Sequence, residues 1–137
     1  MESVSLSREI AAPAERIRAA IDDHEAFMRA AKFDEVRATD GTIEIANAVG
    51  LFRIELTLEV IDRPGAALAY VQREGIFETM DTEYRLAETD GGTTVTATTE
   101  FAVGASFVGP LFDATVVKRQ RRRELDNQFD YLEEACA

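Results

Sequence analysis

Apolar residues alternate with polar ones at the start of the chain. In residues 3–10, Val4, Leu6 and Ile10 fall on one face, which predicts a half-buried strand. Pro13 ends this strand, because proline cannot extend the hydrogen-bond ladder but suits the first turn of a helix. The sequence therefore predicts an opening strand followed directly by a helix.

The period changes to helical over the next twenty residues. Two apolar stripes recur at helical spacing, one ending near Asp22 and Asp23 and the other beginning at His24. Their members are Ile17, Ala20 and Ile21, then Phe27, Met28 and Ala31. This pattern predicts two consecutive short helices.

Strict alternation returns at Phe33 and continues for about seventy residues. Turn signals divide it at Asp40-Gly41, Gly50, Arg63-Pro64-Gly65, Gly75 and Asp90-Gly91-Gly92. The predicted strands lie near 33–39, 42–49, 51–62, 66–74, 76–87 and 93–103. Because the connections are too short for crossovers, the strands must form an antiparallel meander.

The alternation also predicts which apolar side chains face inward. They are Ile43, Ile45 and Val49, then Phe52, Ile54, Leu56, Leu58 and Val60, then Ile76, Met80, Tyr84 and Leu86, and finally Val95, Ala97, Phe101 and Val103.

A long helix closes the chain, predicted to open at Gly109-Pro110 and to run to about Ala135. It would be about 40 Å long. Its apolar face is formed by Leu111, Ala114, Leu125, Phe129, Leu132 and Cys136. The predicted fold class is α+β, a single domain over residues 1–137 in which a curved antiparallel sheet of about seven strands grips one long C-terminal helix. Two short helices complete it. One helix cannot fill the concavity of such a sheet, so we expect an interior cavity.

Two segments carry a family resemblance. Residues 7–16, Ser-Arg-Glu-Ile-Ala-Ala-Pro-Ala-Glu-Arg, and residues 103–112, Val-Gly-Ala-Ser-Phe-Val-Gly-Pro-Leu-Phe, resemble the polyketide cyclase/dehydrase-like branch of the START-like, or SRPBCC, superfamily. The resemblance implies the helix-grip fold and an apolar cavity near the last helix. It implies ligands such as lipids, sterols, polyketides, quinones or hormones, although some members are cyclases or dehydratases and others are accessory proteins. The superfamily shares no universal catalytic motif, so no catalytic residue is assigned.

The chain is strongly acidic, with a formal net charge of −11 and a pI of about 4.5. Lys32 and Lys118 are its two lysines among 15 basic residues. This balance argues against nucleic acid or an anionic membrane as partner, and it suggests a halophilic origin. No apolar run is long enough to span a membrane, and Cys136 has no second cysteine to pair with. We expect a cytoplasmic protein without metal or cofactor.

A basic run, residues 118–123, stands out within the last helix. Lys118 falls on the apolar stripe, and Arg121 and Arg122 flank it. One interpretation places these side chains at the cavity mouth, where they pair with a ligand's acidic or carbonyl group. The other has them bury their stems and pair with the abundant carboxylates.

Several polar residues share the inward parity of the strands. They are Asn47, Gln72, Glu74, Glu78, Thr82 and Thr99, together with Tyr70 and Tyr84. They would orient a ligand, or they would lie at strand ends or next to a bulge, which reverses the parity downstream. Glu74 and Glu78 also form a candidate acid/base pair. His24 fits the start of a helix better than the role of a base.

The leading hypothesis is non-catalytic binding of a hydrophobic or amphipathic small molecule, by a monomer or homodimer. The alternatives are a cyclase or dehydratase and an accessory protein that binds another protein. The predicted cavity-lining residues are Ile45, Asn47, Ile54, Leu56, Tyr70, Gln72, Met80, Tyr84, Thr99, Phe101, Leu111 and Lys118.

Overall fold

The computed structural model describes residues 1–104 and 113–136. Within these ranges the chain forms seven strands and three helices. The elements are β1 (Glu2–Ile10), α1 (Ala14–Asp22), α2 (His24–Arg29), β2 (Glu35–Thr39), β3 (Thr42–Val49), β4 (Phe52–Val60), β5 (Leu68–Glu74), β6 (Phe77–Thr89), β7 (Gly92–Val103) and α3 (Ala114–Cys136). The predicted order of elements is confirmed, with strand ends that differ from the predicted ones by at most two residues.

The seven strands form one sheet in the order β1-β7-β6-β5-β4-β3-β2, and every neighbouring pair is antiparallel. From β2 to β7 the sheet is a meander, because each connection joins adjacent strands. β1, the first strand of the chain, forms the edge of the sheet opposite to β2 and pairs with β7 from Glu2 to Ile10. The curved antiparallel sheet and its C-terminal helix confirm the predicted α+β helix-grip class.

The β2–β3 turn shows how local chemistry determines the register. Asp40 and Gly41 have φ angles of 49° and 82°, and the flanking Thr39 and Thr42 are paired. Two consecutive positive φ angles define the hairpin turn whose twist matches that of the strands, and Asp-Gly tolerates them best. The register that follows places Ile43 and Ile45 on the inner face, as predicted.

An irregularity between Phe77 and Thr79 at the start of β6 reverses part of the predicted pattern. Phe77 packs inward against Phe101, with ring centroids 5.4 Å apart, while Glu78 is exposed. Gln72 holds this segment, donating from Nε2 to the Phe77 carbonyl at 2.8 Å and accepting from the Phe77 N–H at 3.2 Å. The prediction of an inward-facing Glu78 was wrong, because the bulge inserts one unpaired residue.

Phe52 also departs from the predicted inner face, since 58% of its surface is exposed. It is the first residue of β4, at the tip of the β3–β4 hairpin, where alternation no longer determines burial. Leu58, farther along the same strand, is buried as predicted. The inward parity of β4 therefore holds only away from the hairpin tip.

Within the described residues, helix α3 begins at Ala114, and the predicted opening at Gly109-Pro110 lies outside them. Asp113 caps the helix, because its Oδ1 accepts from the backbone N–H groups of Thr115 at 2.7 Å and Val116 at 3.3 Å. With 23 residues the helix is about 35 Å long.

The C-terminal half of α3 packs into the core over β1 and α1. Its buried residues there are Leu125, Gln128, Phe129, Leu132 and Cys136. Arg8 of β1 fastens this half from outside, with ion pairs to Asp126 at 2.5 Å and Asp130 at 2.7 Å, a third pair to Glu133, and its guanidinium 5.5 Å from the Phe129 ring centroid.

Candidate functional site

A cavity of about 400 Å³ separates the N-terminal half of α3 from the sheet. Strands β3 to β6 form one side, α3 forms the other, and the segment between α2 and β2 closes an end. The described residues that line it are Lys32, Phe33, Asp34, Ile45, Asn47, Ala48, Ile54, Leu56, Leu58, Tyr70, Ile76, Phe77, Met80, Val116, Val117, Gln120, Arg121 and Glu124.

Most of this lining is apolar, for a reason that lies in strand periodicity. Ile54, Leu56 and Leu58 occupy alternate positions of β4, so all three point to the concave face. Ile45 pairs with Leu56 on the adjacent strand β3 and extends the same surface. The sheet thereby presents a continuous apolar wall to the space below α3.

Helix α3 contributes three charged or amide side chains to the described lining, those of Gln120, Arg121 and Glu124. Arg121 donates from Nη1 to Oε1 of Glu124 at 2.5 Å, and Gln120 donates to the other oxygen, Oε2, at 3.2 Å. Burial alone lowers the pKa of the Arg121 guanidinium, but Tyr70, Glu124 and Tyr84 raise the pKa more, so the net shift is upward. Arg121 is therefore a permanent buried cation.

A second polar group lies beneath the cavity, in the core. Tyr84 donates from its hydroxyl to Oε1 of Gln128 at 2.6 Å, and the Gln128 amide donates to the Phe27 carbonyl at 3.2 Å. Burial raises the pKa of the Tyr84 phenol well above its ordinary value, with a further contribution from Tyr70. Tyr84 is therefore a neutral, fully committed donor rather than a base.

The α2–β2 segment is attached to β3 by a reciprocal pair of side-chain contacts. Oδ1 of Asn47 accepts from the Asp34 N–H at 2.9 Å, and Oδ2 of Asp34 accepts from the Ala48 N–H at 2.6 Å. These bonds hold one end wall of the cavity in place.

The family comparison agrees with this architecture. The family model described as "Polyketide cyclase / dehydrase and lipid transport" matches residues 1–136. The chain belongs to this family. The predicted START-like, polyketide cyclase/dehydrase-like assignment is confirmed.

Solved structures with the family's architecture align over nearly the whole chain. A START superfamily protein from Mycobacterium smegmatis has a TM-score of 0.74 at 16% identity, with 98% of this chain and 96% of that chain covered. The Zhui aromatase/cyclase from Streptomyces sp. R1128 has a TM-score of 0.76 at 19% identity, with 96% and 93% covered. A protein from Thermus thermophilus has a TM-score of 0.75 at 18% identity, with 98% and 96% covered. At such identities the shared property is the fold. No curated protein sequence matches the chain.

Six of the twelve residues predicted to contact a ligand line the cavity of this family member. They are Ile45, Asn47, Ile54, Leu56, Tyr70 and Met80. All six lie on β3 to β6, the strands that form the wall of the cavity. Their contact with a ligand stays a prediction.

Five others lie elsewhere, and Leu111 falls outside the described residues. Tyr84, Thr99 and Phe101 are fully buried in the core, and Gln72 is bound to the backbone of the β6 bulge. Lys118 pairs with Glu2 of β1 at 2.7 Å. For Lys118, the structure therefore agrees with the interpretation in which the basic run pairs with carboxylates of the protein.

The remaining polar candidates have structural surroundings. Thr82 and Thr99 hydrogen-bond to each other across β6 and β7 at 2.7 Å, which satisfies two buried hydroxyls. Glu74 and Glu78 are both exposed, so they are not a buried acid/base pair. His24 is the first residue of α2 and does not appear among the described cavity residues.

Sequence reasoning missed Gln120 and Glu124 and ranked Arg121 only as a flanking candidate. The signal was present, since Arg121 and Glu124 are three residues apart and Glu124 is four residues before the buried Gln128. A charged residue on that stripe must be paired if it is buried.

Two kinds of feature are absent from the described residues. No group of three or more His, Cys, Asp or Glu side chains is placed to hold a metal ion within residues 1–104 and 113–136. Among the described helices, none is long and apolar enough to cross a membrane.

Proposed function

We propose that the protein binds a hydrophobic or amphipathic small molecule between the wall formed by β3 to β6 and the N-terminal half of α3, without transforming it. The observation that carries the proposal is the cavity itself. Its volume of about 400 Å³ falls within the range of small-molecule sites, roughly 300–1,000 Å³. An apolar wall with a few polar groups is typical of small-molecule sites, in which the polar groups orient the ligand.

Binding without catalysis is supported by the state of the polar groups. Both carboxylates of the described lining, Asp34 and Glu124, already accept hydrogen bonds from the protein. Arg121 cannot give up its proton. General acid/base catalysis needs a group that is free to take up and release a proton near the operating pH, and such a pair is not apparent in the described lining.

The family description also supports this ligand class, because it joins polyketide cyclases and dehydrases with lipid transport. Each of these activities requires an organic molecule with a large apolar body. The likeness to the Zhui aromatase/cyclase, at 19% identity, contributes only the fold.

A fluorescent apolar probe tests the proposal with a matched pair of variants. Ile54→Trp fills the cavity from β4, whereas Glu55→Trp places the same side chain on the exposed outer face of the same strand. We expect the wild type and Glu55→Trp to bind a naphthalene-type probe alike, and Ile54→Trp to bind it at least tenfold more weakly.

Native mass spectrometry of the freshly purified protein complements the titration by revealing any co-purified molecule. A probe that binds Ile54→Trp as tightly as the wild type would contradict the proposal, because the probe would then occupy another surface. Circular dichroism serves as the control that Ile54→Trp and Glu55→Trp are both folded.

A further inference from the structure

Arg121 is the buried charge whose bonding is least complete among the described residues. It lines the cavity with only 8% of its surface exposed, yet its guanidinium has one hydrogen-bonded ion pair, from Nη1 to Glu124. Nε and Nη2 are buried without a hydrogen-bond partner in the part of the chain that the structure describes. Buried donors of this kind are rare in folded proteins, because a donor that loses water and gains no acceptor is unfavourable.

The partner of Arg121 has no such deficit. Glu124 receives a hydrogen bond on each carboxylate oxygen, one from Arg121 and one from Gln120. It therefore cannot turn to serve the remaining donors without losing its present bonds. A second acceptor is needed, and the space that adjoins Arg121 is the cavity.

The geometry of the two unpartnered donors determines which acceptor group can bind both of them. Nε–H and one Nη2–H lie parallel along one edge of the planar guanidinium, at a spacing that matches the two oxygens of a carboxylate. Arg121 lines the cavity, and a ligand has to bring its acceptor to these two nitrogens, which are shielded from water. A carboxylate would use both donors, whereas a hydroxyl or ketone offers a single oxygen.

We propose that the ligand of this cavity is an apolar molecule with an ionised carboxylate, and that this carboxylate binds the Nε–Nη2 edge of Arg121. The inference rests on the proposed function and specifies its ligand class. Its physical origin is the unsatisfied pair of donors, which a bound carboxylate satisfies while the apolar body of the ligand covers the wall of β4.

Two probes of equal shape test the charge requirement. Isothermal titration calorimetry compares 2-naphthoate with 2-naphthamide, which replaces one carboxylate oxygen with an NH₂ donor. We expect the wild type to bind 2-naphthoate about tenfold to a hundredfold more tightly, because a charge-assisted hydrogen bond contributes about 1.5–3 kcal/mol.

The variants then assign that preference to one side chain. Arg121→Met alone leaves Glu124 buried and unpaired, so the test uses Arg121→Met with Glu124→Leu, which removes both charges together. The double variant should bind the two probes with equal affinity. Arg121→Lys keeps the charge but lacks the planar edge, so it should lose most of the preference. Arg119→Met, an exposed change on the same helix, should retain it.

The outcomes separate this inference from the proposed function. Equal affinity of the wild type for both naphthalene probes overturns the carboxylate inference and leaves cavity binding intact. A preference that survives in the double variant also overturns it, because the carboxylate would then bind elsewhere. If neither 2-naphthoate nor 2-naphthamide binds the cavity, the proposed function is wrong, and the carboxylate inference is wrong with it.

Discussion

The ion pair between Arg121 and Glu124 yields a prediction about stability that runs against intuition. Removing both charges, by Arg121→Met with Glu124→Leu, should leave the ligand-free protein as stable as the wild type or more stable. The two side chains are buried, at 8% and 4% exposed, so folding removes both charges from water. In general, replacing a buried ion pair with apolar side chains of similar size is neutral or stabilises by about 1–4 kcal/mol.

The structure indicates where in that range the result should fall. The pair has one direct hydrogen bond, and Glu124 gains a second from Gln120, which is exposed and can bond to water instead. Against these bonds stand the two unpartnered nitrogens of Arg121, at about 1–3 kcal/mol each. We therefore expect the double variant to gain about 1–3 kcal/mol in the free energy of unfolding.

The single variant should behave in the opposite way. Arg121→Met leaves Glu124 as an uncompensated buried charge, which typically costs about 3–5 kcal/mol. Arg119→Met, at an exposed position of the same helix, should change the free energy by less than about 0.5 kcal/mol.

Urea unfolding at pH 7, followed by far-ultraviolet circular dichroism on protein refolded from denaturant, provides the measurement. Refolding removes bound ligand, which would otherwise add its own stabilisation. A double variant that is less stable than the wild type by more than about 1 kcal/mol would refute the reasoning, because the pair would then be part of the framework of the fold.

Three further predictions follow from other contacts. Burial raises the pKa of Tyr84, so the stability that its neutral form contributes is complete below the ordinary phenol pKa and should fall as the pH rises above about 10. Tyr84→Phe should weaken this alkaline loss of stability, which urea titrations at about pH 8 and pH 11 measure. Gly92→Ala should prevent folding or lower the melting temperature severely, because the new Cβ would lie 2.1 Å from the Ile10 carbonyl oxygen. Circular dichroism measures this, with Gly91→Ala as the control, because its Cβ would meet only a side-chain oxygen at 3.6 Å. The halophilic hypothesis predicts a melting temperature that increases with KCl up to molar concentrations, and a flat or falling curve would exclude it.

Much of the fold could be predicted because both periodicities in this sequence are clean. Strands β3 and β4 alternate without interruption, so the inward positions of Ile45, Ile54 and Leu56 follow from parity alone. Asp40-Gly41 identifies its turn type from residue chemistry. These are local rules, and they hold wherever the backbone is regular.

The predicted side-chain positions are wrong where a tertiary contact overrides the local periodicity. The bulge at Phe77 exchanges the faces of Phe77 and Glu78, and its stabilising partner, Gln72, is on a different strand. The pairing of Lys118 with Glu2 joins residues at opposite ends of the chain. Neither contact has a signature in the sequence around either residue, so the predicted site contained core residues and omitted most of the polar lining on α3.

The two halves of α3 explain why the cavity lies where it does. The C-terminal half presents an apolar face, with Leu125 and Phe129 in the core, and Arg8 secures its other side with three carboxylates. The N-terminal half instead presents Arg121 and Glu124 to the sheet. Collapse of that half onto the apolar wall of β4 would surround the Arg121 guanidinium more fully with apolar side chains without giving Nε and Nη2 an acceptor, which is unfavourable for a buried charge. The buried charge on α3 therefore opposes closer packing of this half against the sheet, and under the proposed function a carboxylate ligand would supply the acceptor that Arg121 lacks among the described residues.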